Sequence, residues 1–166
     1  MAEQQVVVPV GIGELRASRD PAEVLVAYGL GSCVGVCLYD PQARVGGLAH
    51  VMLPRSAEAA SLNPPGKFAD LAVPMLIEEM GRLGALPRRM VGKIAGGAQM
   101  LVAPGFSGNG FNVGERNIEA VRAVLESYRV PLLRAETGGH RGRTLSLHVA
   151  TGRVMVRAIG ERETEL

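Results

Sequence analysis

The chain has 166 residues, a formal net charge of +2, two cysteines, no tryptophan and only 4% aromatic residues. That length fits one domain with a real core, and so small a charge with no basic run gives no indication of a nucleic-acid partner. No apolar stretch is long enough to span a membrane and no leader pattern opens the chain, so the reading is a cytoplasmic protein.

Val6 to Val10 and Leu25 to Tyr28 read as early strands. A hairpin follows, with one arm over Gly29–Tyr39 and the other over Val45–Leu53, joined through Asp40-Pro41-Gln42-Ala43. Ser56 to Gly66 is a loop rich in Ser, Ala and Pro. Lys67 to Leu83 has helical spacing, with Pro74 as a kink or a late first turn. Met90 to Ala95 is a short strand, Gly105 to Gly114 a loop, and Glu115 to Arg129 the clearest helix, with Ile118, Val121, Val124, Leu125 and Tyr128 on one stripe. Val130 to Glu136 is a strand, and Thr144–Ala150 with Arg153–Ile159 form a second hairpin about Thr151-Gly152. Consecutive hairpins with two helices argue for an α+β fold with mostly antiparallel pairing, in one domain over residues 1–166, with no repeat and no linker.

The chemistry concentrates in the first hairpin. With Pro41-Gln42 as its tip, Cys33 faces His50, and directly opposed Cβ atoms lie roughly 5 Å apart. A thiol and an imidazole that close share a proton, which predicts a thiolate nucleophile beside a general base. Gly29, Gly31 and Ser32 precede Cys33. A glycine turn there leaves backbone N–H groups of the Gly31–Ser32 segment to act as an oxyanion site. Gly35 leaves room beside the sulfur. The same spacing also fits a buried cysteine and a core histidine, and a slip of one residue at Gly46-Gly47 would turn His50 to the other face. A phosphate loop does not fit, since Val34 stands where a third glycine belongs. Cys33 and Cys37 would lie about 13 Å apart along a strand, too far for a disulfide, and the pattern lacks a second ligand pair for zinc. Weaker candidates are His140 in a glycine-rich turn, His148 on a strand, Arg116-Asn117 at the start of the second helix, and a surface pair of Lys67 with Asp70.

These residues carry a resemblance. Gly29-Leu30-Gly31-Ser32-Cys33-Val34-Gly35-Val36, then Leu38-Tyr39-Asp40 and Gly47-Leu48-Ala49-His50-Val51-Met52-Leu53-Pro54, are similar to the chemoreceptor glutamine deamidase family, CheD. So are Lys67-Phe68-Ala69-Asp70, Lys93-Ile94-Ala95-Gly96-Gly97-Ala98-Gln99-Met100, Val113-Gly114-Glu115-Arg116-Asn117, Gly138-Gly139 and Gly142-Arg143, all in the family's order. The resemblance implies a layered α/β sandwich related to cysteine-dependent deamidating toxins. It implies a cysteine-dependent amide hydrolase that converts glutamine side chains on methyl-accepting chemotaxis receptors to glutamate, needs no metal or cofactor, and binds a CheC-type phosphatase. It gives Cys33 the role of nucleophile and His50 that of general base. The family's third residue, a threonine that orients the histidine, is replaced by Ala27. Three readings therefore stand: an active receptor deamidase, favoured by Cys33 and His50; a regulatory binder with little turnover, favoured by Ala27; and a generic hydrolase of small amides, which fits the site but not the family blocks.

Overall fold

A computed structural model describes residues 4–57, 59–100 and 112–166. The expected Gly105–Gly114 loop lies almost wholly outside the described residues. Among the described residues, ten strands form two five-stranded sheets. They are β1 (Val6–Pro9), β2 (Leu15–Ser18), β3 (Glu23–Leu30), β4 (Val34–Asp40), β5 (Val45–Val51), β6 (Val91–Gly96), β7 (Leu132–Thr137), β8 (Arg143–His148), β9 (Val154–Ala158) and β10 (Thr164–Glu165). The first sheet has the order β1-β3-β8-β9-β10 and the second the order β2-β5-β4-β6-β7. Helices α1 (Ala69–Arg82) and α2 (Val113–Ser127) pack on the second sheet. The layers are therefore sheet, sheet, helices, an α+β sandwich.

Two cores follow from this layering. Val34, Val36, Leu38, Ala49 and Val51 face α1 and α2, meeting Leu76, Met80, Val121 and Leu125. Cys33, Cys37, Tyr39 and Leu48 face the first sheet, meeting Leu25, Leu30, Leu145 and Leu147. Because the second sheet is covered on both faces, every residue of β4 and β5 is buried, and neither strand needs polar alternation. Gly35 belongs to this packing. A Cβ there would meet Leu145 at 2.6 Å, so its missing side chain admits the first sheet and does not open space beside the sulfur.

The first hairpin forms, but its turn is longer than expected. Asp40 accepts from the N–H groups of Gln42 and Ala43 at 3.0 and 3.1 Å, an Asx turn. Arg44 then takes a left-handed conformation, φ 54°. Asp40 pairs with Val45, Tyr39 with Gly46 and Gly35 with His50. Burial alone would raise the Asp40 pKa, but N–H donors from Leu86, Ala43 and Gln42 and the Arg89 guanidinium outweigh it and hold the carboxyl below its usual range.

The second hairpin, β8 with β9, closes as expected, whereas β1–β3 and β6–β7 pair in parallel. Helix α1 runs through Pro74, and Lys67 sits in a short 3₁₀ turn (Pro65–Lys67) before it. Lys67 and Asp70 do not pair: Asp70 caps the backbone and hydroxyl of Ser56, and the Lys67 ammonium reaches the Asn63 carbonyl.

Candidate active site

Cys33 sits one residue before β4, and by register it is diagonal to His50, not opposite it. The correction is two residues, an even number, so both side chains stay on the face between the sheets. Cys33 is 8% exposed and His50 2%.

The imidazole is held by the turn joining β1 to β2. His50 Nδ1 lies 2.9 Å from the Val10 carbonyl oxygen. A carbonyl only accepts, so Nδ1 carries the hydrogen and Nε2 is the lone-pair nitrogen of the neutral ring. Nε2 is buried with no partner among the described residues. The same turn grips the His50 backbone. Gly13 N–H donates to the His50 carbonyl at 3.0 Å, and His50 N–H to the Glu14 carbonyl at 3.0 Å. A backbone carbonyl thus occupies the orienting position for which a side chain was sought at Ala27. Ala27 itself is buried in the apolar cluster between the sheets. We expect Ala27→Thr to leave turnover within about threefold of wild type, because a hydroxyl there adds no missing contact to a ring that is already positioned; steady-state deamidation by the two proteins checks this.

The turn before Cys33 is tied on its carbonyl side. Gly31 O accepts from Ala98 N–H and Cys33 O from Gly97 N–H, both at 2.8 Å. Ser32 O accepts from the Asn117 side-chain amide at 2.9 Å. Among the described residues, no acceptor takes the N–H of Gly31 or Ser32, and that of Cys33 lies against its own sulfur. That leaves donors of the kind an oxyanion site uses.

Electrostatics correct the expectation of a resting thiolate. Burial raises the Cys33 pKa above its ordinary 9.0, against a smaller lowering from its own backbone N–H. Burial lowers the His50 pKa below 6.5, against opposing contributions from the Val10 carbonyl and the Glu14 charge. Both shifts favour the uncharged forms, so thiol and imidazole rest neutral at pH 7 and a proton moves only when the sulfur attacks. Cys37 is more deeply buried, its thiol pushed well up despite the nearby Lys93 charge. We expect a limiting dose of iodoacetamide to alkylate Cys33 before Cys37, read by peptide mass mapping; labelling of Cys37 first would contradict the assignment.

The other candidates lie apart from this pair. His140 is exposed, with its ring against the Gln99 carbonyl at 3.0 Å. His148 lies on β8 beside Gln5. Arg116 is exposed, and the α2 cap is Asn112, whose side chain accepts from Glu115 N–H. Asn117 is fully buried and donates to both Ser32 and Met52. In the sequence it stands only among the weaker candidates at the start of the second helix. Its signal was a polar residue on the buried stripe Gly114, Asn117, Val121, Leu125. No cluster of metal-ligating side chains occurs among the described residues, and no described helix is long and apolar enough to cross a membrane.

A two-sheet sandwich backed by helices, with a cysteine and a histidine facing the gap between its sheets, defines the class: a layered α/β protein with a candidate thiol–imidazole pair. A solved Neisseria meningitidis protein of family DUF152 has this fold, with TM-score 0.53 at 11% identity over 81% of this chain and 64% of that one. A family model described as CheD chemotactic sensory transduction matches residues 52–158. Likeness to individual relatives extends across the Cys33–His50 hairpin. The chain is 46% identical over 154 residues to the chemoreceptor glutamine deamidase CheD of Thermotoga maritima, covering 93% of each chain. It is 46% identical over 158 residues to the probable chemoreceptor glutamine deamidase CheD of Symbiobacterium thermophilum, covering 95% of each. The chain belongs to the CheD family.

Proposed function

We propose that this protein hydrolyses glutamine side chains of methyl-accepting chemotaxis receptors to glutamate, with Cys33 as nucleophile and His50 as general base and acid. The observation that carries the reading is near full-length likeness to a protein named a chemoreceptor glutamine deamidase. The free Nε2 of a ring anchored through Nδ1 supports it chemically.

The Cys33 thiol gives its proton to His50 Nε2 as sulfur bonds to the carboxamide carbon. The carbonyl oxygen becomes an oxyanion facing backbone N–H donors of the Gly31–Cys33 turn. The intermediate collapses, the C–N bond breaks, and ammonia leaves with the proton from His50. Water then loses a proton to His50 and attacks the thioester carbon. The C–S bond breaks, glutamate is released, and the thiol is restored by the same proton. The cycle balances as amide plus water giving acid plus ammonia.

The Val10 carbonyl at His50 Nδ1 supports an active deamidase over the low-turnover reading that Ala27 favours. Binding of a CheC-type phosphatase, and action in the cytoplasm on receptor segments there, belong to the proposal through the family resemblance. The test is incubation with a purified chemoreceptor cytoplasmic fragment. Ammonia release and a gain of about one mass unit per site, the replacement of NH₂ by OH, are the expected result. An unchanged fragment with folded enzyme would sink the reading.

A further inference from the structure

Among the described residues Asn117 makes no side-chain hydrogen bond to Cys33 or His50, yet it joins the two segments that carry them. Its amide nitrogen lies 2.9 Å from the carbonyl of Ser32, the residue before the nucleophile. It lies 2.9 Å from the carbonyl of Met52 as well, two residues beyond His50. Two carbonyls demand a donor, so the amide orientation is fixed: NH₂ toward both, Oδ1 away. Oδ1 is buried with no partner among the described residues. A residue kept only for packing would not carry an orphan oxygen into a core at 0% exposure. An apolar residue of the same shape would fill the space without it.

The α2 helix comes close enough for this contact because Gly114 lies on the backbone of Gly97 and Ala98. A Cβ at Gly114 would stand 2.6 Å from the Ala98 carbonyl oxygen. Gly97 and Ala98 in turn hold the carbonyls of Cys33 and Gly31. Three successive carbonyls, of Gly31, Ser32 and Cys33, are thus pinned by α2 and the segment beneath it.

The direction of the middle one matters most. In a trans peptide the C=O and N–H point in opposite directions. Drawing the Ser32 carbonyl toward Asn117 turns the Cys33 N–H away from α2, and that N–H lies against the Cys33 sulfur. We infer that Asn117 is a positioning residue for the deamidation reaction: through the Ser32 carbonyl it aims the Cys33 N–H at the oxyanion formed on the substrate carbonyl. This rests on the deamidase reading above.

The test compares Asn117→Ala and Asn117→Ser with wild type in two reactions of the same thiol. Deamidation of the receptor fragment passes through an oxyanion; alkylation of Cys33 by iodoacetamide does not. Losing an oxyanion donor outright costs about 10² to 10³ in kcat, and misdirecting one costs less. We expect kcat to fall by roughly tenfold to a hundredfold in Asn117→Ala, with KM and the Cys33 alkylation rate each within about twofold. Asn117→Ser, with one donor in place of two, should fall between. Unchanged kcat in folded variants overturns the inference. So does a parallel fall of kcat and alkylation, which means the whole turn has been disordered. Failure of both variants to fold overturns it too, making Asn117 a folding residue only. Wild type run alongside separates the two readings: no turnover by wild type sinks the deamidase assignment, whereas normal turnover by wild type and by Asn117→Ala sinks this one.

Discussion

Cys33→Ala should abolish ammonia release from a chemoreceptor fragment while the protein still melts cooperatively near the wild-type temperature. The sulfur is the atom that bonds to the carboxamide carbon in the proposed cycle. Cys37 is more deeply buried, with its thiol pushed further from ionisation. The side chain lost is small and sits at the margin of the inter-sheet cluster, so the cavity left behind costs little beside a large core truncation. Mass spectrometry of the fragment after long incubation reads the result directly. Residual conversion above the uncatalysed rate by the purified variant would place the nucleophile elsewhere.

His50→Ala should lower kcat/KM by about 10² to 10⁴, the usual range for loss of a general base. His50 is a buried imidazole on the face it shares with Cys33, and its Nε2 has no partner among the described residues. The pH profile of the wild type carries a second signature of the same residue. The base works only when Nε2 is unprotonated. Burial lowers its pKa, so the base stays competent to a more acid pH than a free imidazole would. The acid limb of kcat/KM should therefore fall below pH 6.5 and disappear in His50→Ala. A limb well above 6.5, or one that survives the substitution, would remove His50 from the mechanism.

Much of this site was legible in the chain, for a reason that lies in the pleat. The expected register of the first hairpin was off by two because Asp40 closes an Asx turn and Arg44 enters the left-handed region, so four residues form the tip. An even slip preserves the face, and Cys33 and His50 remained on one side of β4 and β5. The parallel pairs were less legible. β1–β3 and β6–β7 are joined by contacts that no local pattern announces. β2 went unseen because Leu15–Ser18 is a short edge strand without β-branched residues, defined only by its pairing with β5. The resting thiolate was misjudged for a different reason. Proximity to histidine was visible in the sequence, but the desolvation that holds both groups neutral belongs to the assembled layers.

The turn over residues 10–14 has a consequence for how such a site evolves. The atom that holds the imidazole is a peptide oxygen, and every amino acid supplies one. A substitution at Val10 or Ala27 can change packing but cannot delete that acceptor. The orienting function is therefore written in the path of the chain and leaves no mark in the residue alphabet, so a scan of side-chain replacements would record no third catalytic position. The constraint passes instead to Gly13, whose φ of 79° and approach to Pro64 leave no place for a Cβ. A glycine with no chemistry of its own thus guards the placement of the imidazole.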